Sequence, residues 1–337
     1  MLGYKGYLWK VALLIAVAAL LLAACGGAAP TAAPQAALAE AFKVGLIHPS
    51  PITDSWSGAA YEALKRMQSE LGAEIANVEV GNPAGFEKAF SDFGSQNYNL
   101  IIGHGFQYQD AAEKVSPEFP KSFFTTVGGF KTTANFAPVD LVPGYKQAFY
   151  AMGVMAGNVS KSQKAAAFGL EIPAITMPLE GFVAGFKSIP GNECSLIMLK
   201  DGNDVGAAKE AALQAIADGA DVLIANANLA GDGVIQAAAE KGAGVWVVGT
   251  ISDKTSLAPK NVLVSSTLNV SAALFSLGKD VKEGKMKGGQ VRGFTLKDEG
   301  VYDFIWNPDT ASVVTPEIKA IAEDTLKKIK ADEVKVP

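Results

Sequence analysis

The sequence predicts an α/β protein of two doubly wound parallel-sheet lobes in series, joined by a three-segment hinge. Short β-branched and apolar runs alternate with stretches of helical apolar spacing, which is the grammar of βαβ units and parallel sheets. That grammar runs once, pauses at a helix rich in Ala, Met and Gly, and starts over. Length agrees: a body of about 300 residues exceeds the size at which one core keeps growing, so two lobes are expected.

Taken in order, Lys43–His48 (KVGLIH) is a β-rich run leading into Pro49-Ser50-Pro51. Behind it Trp56, Ala59, Ala60, Ala63, Leu64, Met67 and Leu71 recur at helical spacing, with Thr53 or Asp54 suited to the N-cap and Gly72 to the stop. Strands are then expected at 74–80, 98–102 and 122–127, with helices at 83–96 and 109–118 between them. After a helix at 143–159, strands are expected at 164–170, 195–199, 221–225, 244–249 and 261–265, and helices at 180–187, 205–217 and 231–241. A helix at 269–283 is expected to cross back to the first lobe. The chain beyond Val291 is expected to cross again before a terminal helix at 316–330. Crossings near 140–145, 265–270 and 290–295 make the hinge. The lobes are then 42–142 with 268–290, and 143–267 with 291–337.

The amino terminus has its own pattern. Lys5 and Lys10 precede an uncharged run from Val11 to Leu22, and Ala23-Ala24-Cys25 comes next. A positive region, about a dozen apolar residues and small residues before a cut are the parts of a secretory signal. Cysteine just after the cut receives diacylglycerol, so residues 1–24 read as a lipoprotein signal and Cys25 as the lipidation site. A single transmembrane anchor would need about 20 apolar residues, and this run is shorter. Residues 25–41, rich in Ala, Pro and Gly, read as a flexible tether. The expected location is the extracytoplasmic face of the cell membrane, held by lipid.

The chain has 29 Lys+Arg against 34 Asp+Glu, and the leader would take Lys5 and Lys10 with it. No basic face for nucleic acid is implied. With Cys25 acylated, Cys194 is the last thiol, so no internal disulfide staples the fold and a buried cysteine is expected.

Parallel sheets bind ligands beyond the carboxyl ends of their strands. Two such edges facing each other make a cleft that closes on a small molecule by hinge rotation. Trp56 at the start of the first helix and Phe106 after the Gly103-His104-Gly105 turn are placed to face that cleft, with Gln107 beside them. Aromatic faces across a slot suit a planar heterocycle. Ser50, Asp54 and Ser55 surround the first helix N-terminus, although Asp54 also suits a cap. Asn226 and Asn228 come after one strand of the second lobe. Asp253 ends a turn after the next strand, where it faces the cleft or caps the adjoining segment.

From Tyr98 to Val115 the segment YNLIIGHGFQYQDAAEKV resembles a block of the BMP (basic membrane protein) family of ABC-transporter substrate-binding lipoproteins. EGFVAGFKS, ADGADVLIANA, VIQAAAEKG, VWVVGTISD, SLAPKNVLVS and KEGKMKGG resemble further blocks in the family's order, covering about residues 42–300. The resemblance implies a type I periplasmic-binding-protein fold, delivery of ligand to ABC permease subunits in the membrane, and purine nucleosides or related heterocycles as ligands. It implies that Phe182 closes on the ligand from the second lobe. It also shows two departures: family members that bind nucleosides carry G-x-D-S-D where this chain has Gly249-Thr250-Ile251-Ser252-Asp253, and TSxxK where it has Ser265-Ser266-Thr267-Leu268-Asn269. A ribose against Ile251 and Leu268 would leave hydroxyls unpaired, at about 1–3 kcal/mol each. The expected ligand is therefore a nucleobase or purine-like compound, with a purine nucleoside receptor and a sensory lipoprotein uncoupled from transport as alternatives.

Enzyme chemistry is not expected: the sequence holds no G-x-S-x-G elbow, no Walker A loop and no complete G-x-G-x-x-G. No cofactor is expected. His48 and His104 fall at the ends of neighbouring strands, but two histidines underdetermine a metal site, and ligand hydrogen bonding, with His104 as a candidate ligand-binding residue, or a local structural role is expected instead. A monomer is expected.

Overall fold

The computed structural model describes residues 41–53 and 55–337. The leader, Cys25, residues 25–40 of the tether, Asp54 and the side chain of Ser55 lie outside the described residues.

β1 (Lys43–His48), β2 (Glu74–Glu79), β3 (Leu100–Gly103) and β4 (Phe123–Thr126) form an all-parallel sheet in the order β2-β1-β3-β4. Its crossovers carry α1 (Ser55–Leu71), α2 (Phe86–Ser95) and α3 (Gln109–Val115). Val44, Leu46, Leu100 and Ile102 are fully buried, because strands covered on both faces read as continuous apolar runs. Gly45 is required by close packing, since a Cβ there would lie 2.8 Å from the Phe93 ring of α2.

The chain then runs through β5 (Val139–Asp140) into α4 (Val142–Val159) and a second sheet. That sheet comprises β6 (Lys164–Gly169), β7 (Glu193–Met198), β8 (Val222–Ala225), β9 (Trp246–Ile251), β10 (Val262–Leu268) and β12 (Tyr302–Trp306), in the order β12-β10-β9-β8-β6-β7. All pairs are parallel except β10 with β12. Its helices are α5 (Pro173–Lys187), α6 (Val205–Ala217) and α7 (Ala230–Lys241). α4 and α5 approach so closely that a Cβ on Gly185 would sit 2.1 Å from the Tyr150 carbonyl oxygen.

From β10 the chain returns to the first sheet as α8 (Val270–Lys282), which packs on α1: Lys282 donates to the Leu71 carbonyl at 2.5 Å, and Gly278 lies against Met67. It comes back through β11 (Arg292–Gly293), paired in parallel with β5, to β12 and α9 (Pro316–Lys330). Three chain segments thus pass between the sheets. Two buried tyrosines bind them together. The Tyr302 hydroxyl donates to the Leu141 carbonyl at 2.8 Å, and its ring lies 6.4 Å from that of Tyr145.

Several elements differ from the sequence expectation. α5 begins at Pro173 rather than Glu180, with Pro178 inside it. Pro173 sits in the first turn, where a missing N–H costs nothing, and the Ile172 carbonyl accepts from the Thr176 N–H at 2.9 Å, so the helix starts ahead of Pro178. β12, not expected as a strand, is an edge strand in which outward-facing Asp303 breaks the apolar run. The expected helices at 83–96 and 109–118 each resolve into an α-helix with a 3₁₀ turn, before Phe86 and after Val115.

Candidate functional site

β1 and β3 are neighbours, so the segments leaving their carboxyl ends meet. The His104 ring donates through Nε2 to the Trp56 carbonyl at 2.9 Å, and the two rings stack with centroids 4.2 Å apart at 23°. His104 is fully buried while Trp56 keeps 40% of its surface exposed. A buried imidazole therefore backs one face of an indole held at the first turn of α1. Gly105, with φ +147°, makes the turn that only glycine takes readily, and Phe106, 68% exposed, then begins a 3₁₀ turn. Gly128 lies beside Phe106, and Phe130 beyond it is 76% exposed, its N–H bonded to the Gln109 side chain at 3.1 Å. The Gln107 amide folds back against Gly105. Ser50 is tied into the loop, its hydroxyl paired with that of buried Ser57 at 2.8 Å and its carbonyl with His48 Nδ1 at 2.7 Å.

The edge of the second sheet is different. The Asn226 amide donates to the Ile175 carbonyl at 3.2 Å and is buried, joining β8 to α5. Asn228 is in the left-handed region at φ +49°. Asp253 accepts from the Thr255 N–H at 2.9 Å and from the Ser265 hydroxyl at 3.4 Å, and hydrogen bonding from Thr255 holds its carboxyl below the usual range. It caps its own turn. What this edge exposes is aliphatic: Ile172 and Met177 after β6, Leu229 after β8, and Ile251 and Leu257 at and after β9.

Among the described residues, nine of the twelve large exposed apolar side chains lie at or beyond the carboxyl ends of the two sheets. On the first sheet these are Ile52, Trp56, Phe106 and Phe130. The remaining three, Val78, Leu196 and Ile305, lie on the edge strands β2, β7 and β12. Sequence reading missed Phe130, Ile172, Met177 and Leu229. The available signal was a large apolar residue in a loop just past a parallel strand.

One expected residue is elsewhere. Phe182 is fully buried, its ring stacked 6.1 Å from Phe186 one helical turn on, and its carbonyl faces Gly153 of α4. It belongs to the core, on the part of α5 that packs against α4. His48 does not pair with His104: its ring nitrogens lie 2.7 Å from the Ser50 carbonyl and 3.0 Å from Asn77 Oδ1. Among the described residues no group of three or more His, Cys, Asp or Glu could hold a metal. Cys194 on β7 is only half-buried as a residue, yet burial of its sulfur pushes the thiol up to about 12. No helix among the described residues is long and apolar enough to cross a membrane.

Solved structures share this architecture. A transcriptional activator of the comK gene from Bacillus halodurans superposes with TM-score 0.74 at 21% identity, over 87% of this chain and 99% of that one. A solute-binding protein of an ABC transporter system from Conexibacter woesei gives 0.69 at 22% identity, over 88% and 99%. In sequence, the chain is 27% identical to basic membrane protein A2 of Borrelia garinii subsp. bavariensis over 84% of each protein. It is 26% identical to the ABC transporter nucleoside-binding protein BmpA of Lactococcus lactis subsp. cremoris, over 73% of this chain and 76% of that protein. Residues 41–337 match the family described as Bmp, ABC transporter substrate-binding protein PnrA-like. With nearly the whole described body matched and the fold shared, this chain belongs to the Bmp family of ABC-transporter substrate-binding proteins.

Proposed function

We propose that this substrate-binding protein works outside the cytoplasm as a lipoprotein anchored through Cys25, and that it captures a nucleobase or purine-like compound between the two sheet edges. The three inter-sheet segments serve as the hinge, with residues 42–142 and 268–290 moving against the rest. One observation carries the ligand class. Trp56 is held flat on the buried His104 imidazole with its indole still exposed, beside Phe106. An aromatic platform fixed before the ligand arrives costs little entropy to use and favours a flat guest by about 0.5–1.5 kcal/mol per stack beyond area burial. On the other edge, Ile251 and Leu268 offer no acceptor to ribose hydroxyls, which favours a base over a nucleoside.

The nucleoside reading has its own support in the name of the Lactococcus relative. Mass spectrometry of ligand released from freshly purified protein, followed by thermal shift with adenine, guanine, xanthine, adenosine, guanosine and riboflavin, decides between them. A ligand at 100 times its Kd adds about 2.7 kcal/mol to stability, an effect easily seen. Bases that stabilise more than nucleosides are the expected result, and nucleosides alone stabilising would overturn the base reading. Release of the protein from membranes by Cys25→Ser tests the anchor. Neighbouring genes for two permeases and an ATPase favour transport over a sensory role.

A further inference from the structure

The last residue of β9, Ile251, has φ +69°. A β-branched residue there is a genuine conformational outlier. The Ser252 N–H donates back to the Thr250 carbonyl at 2.8 Å, so Ile251 is the central residue of a γ-turn of the positive-φ kind, which is rare and strained. Such strain persists only where the surroundings over-determine it, and it concentrates at ligand clamps.

Here the surroundings act from three sides. Ahead of the turn, the Thr250 hydroxyl donates to the Ala225 carbonyl of β8 at 2.6 Å. Behind it, the Lys254 N–H donates to the Ser265 hydroxyl of β10 at 3.0 Å, and Lys254 pairs with Asp232 at 3.0 Å. At the turn itself, the Ile251 N–H donates to the Tyr145 hydroxyl at 2.6 Å, and that hydroxyl donates onward to the Ser266 carbonyl at 3.2 Å. The Tyr145 phenol, a neutral hydroxyl that burial raises further above its ordinary value, serves as acceptor and donor at once. Tyr145 stands in the first turns of α4, just past the first inter-sheet segment, and Ser266 lies near the end of β10, just before the second. The side chain held out by this turn is 48% exposed at the edge where ligand is proposed to sit.

We propose that Tyr145 is a positioning residue for ligand binding: its hydroxyl clamps the strained Ile251 turn and keys the residue presented to the ligand to the segments about which the lobes move. The proposal deepens the binding reading and rests on it. Tyr145 touches no ligand itself. It acts through Ile251.

The test uses the full chain and two tyrosine variants. Tyr302→Phe is the control, because its hydroxyl bonds the Leu141 and Phe294 carbonyls of the same cluster without touching the turn. In Tyr145→Phe the Ile251 amide should exchange with solvent about tenfold faster, while Tyr302→Phe leaves it within about twofold. Binding of adenine and guanine by calorimetry should weaken about tenfold in Tyr145→Phe and change little in Tyr302→Phe. Combined with Ile251→Gly, which relaxes the turn, Tyr145→Phe should cost less than about threefold. Unchanged Ile251 exchange in Tyr145→Phe, or equal loss of affinity in both tyrosine variants, overturns the proposal. Failure of the unmodified protein to bind either base sinks the base reading instead; the exchange measurement, which needs no ligand, still decides whether Tyr145 clamps the turn, and the affinity comparison is then made with the compound that stabilises the protein in the thermal-shift series.

Discussion

The carboxyl edges of the two sheets use the same architecture and display opposite chemistry. The first sheet shows aromatic rings, Trp56, Phe106 and Phe130, one of them backed by a buried histidine. The second keeps Phe182 and Phe186 in its core, exposes Ile172, Met177, Leu229 and Ile251, and uses Asn226 and Asp253 to bind its own backbone. A parallel sheet therefore guarantees where a ligand edge lies and not what that edge offers. The offer depends on how much of each side chain the local packing has already consumed. On the binding reading proposed above, one edge serves as a platform and the other as an apolar clamp.

Variants that exchange those roles would break the comparison. The largest effect is expected for Phe182→Ala, which opens a cavity in the α4–α5 core and should lower stability to urea by about 3–5 kcal/mol. Affinity in the fraction that folds should change little, and loss of affinity at unchanged stability would return Phe182 to the cleft. Trp56→Ala should do the reverse, weakening ligand by about 2 kcal/mol, near 30-fold, with stability nearly intact. Unchanged affinity in calorimetry would assign Trp56 to packing. Ile251→Asp sharpens the contrast by restoring an acceptor: nucleosides should gain about 1 kcal/mol relative to bases, and no relative gain would mean that ribose does not reach this turn.

The smallest effect is expected at Asp253. Its carboxyl is held low in the fold, chiefly by hydrogen bonding from Thr255, so its stabilising contribution is present above the ordinary carboxylate value near 4 and lost as pH falls through the lower folded value. Exposure screens it, leaving a few tenths of a kcal/mol. Melting curves of Asp253→Asn should fall slightly below those of the unmodified chain at about pH 6 and converge with them as pH falls through the lowered folded value. A large drop in ligand affinity would instead place Asp253 in the site.

Legibility tracks the range of the interactions involved. The strands of the first sheet and helices such as Val205–Ala217 are readable because apolar periodicity reports local burial directly. β12 is not, since an edge strand alternating with Asp303 carries little periodic signal, and its partner β10 lies far away in sequence. Only the second half of α5 is legible, because Pro178 reads as a stop, whereas the helix already runs from Pro173 and continues through it. Among the candidate site residues, the exposed placement of Trp56 and Phe106 past the carboxyl ends of β1 and β3 is legible from position alone. Phe182 is not, because an aromatic on an amphipathic helix reads the same whether its face meets solvent or another helix.

By itself the sequence determined the alternation of elements, the parallel sheets, the duplication into two lobes and the loops where a ligand edge must lie, since all of these arise from periods of two and 3.6 residues and from turn chemistry. Only the tertiary structure decided which side chains at that edge remain available. The stacking of His104 on Trp56, the helix contact that buries Phe182, and the Tyr145 hydroxyl beneath the Ile251 turn each join residues distant along the chain. Contacts of that kind leave no local pattern, because they are settled by how whole helices and sheets pack, after each element's own preferences are satisfied.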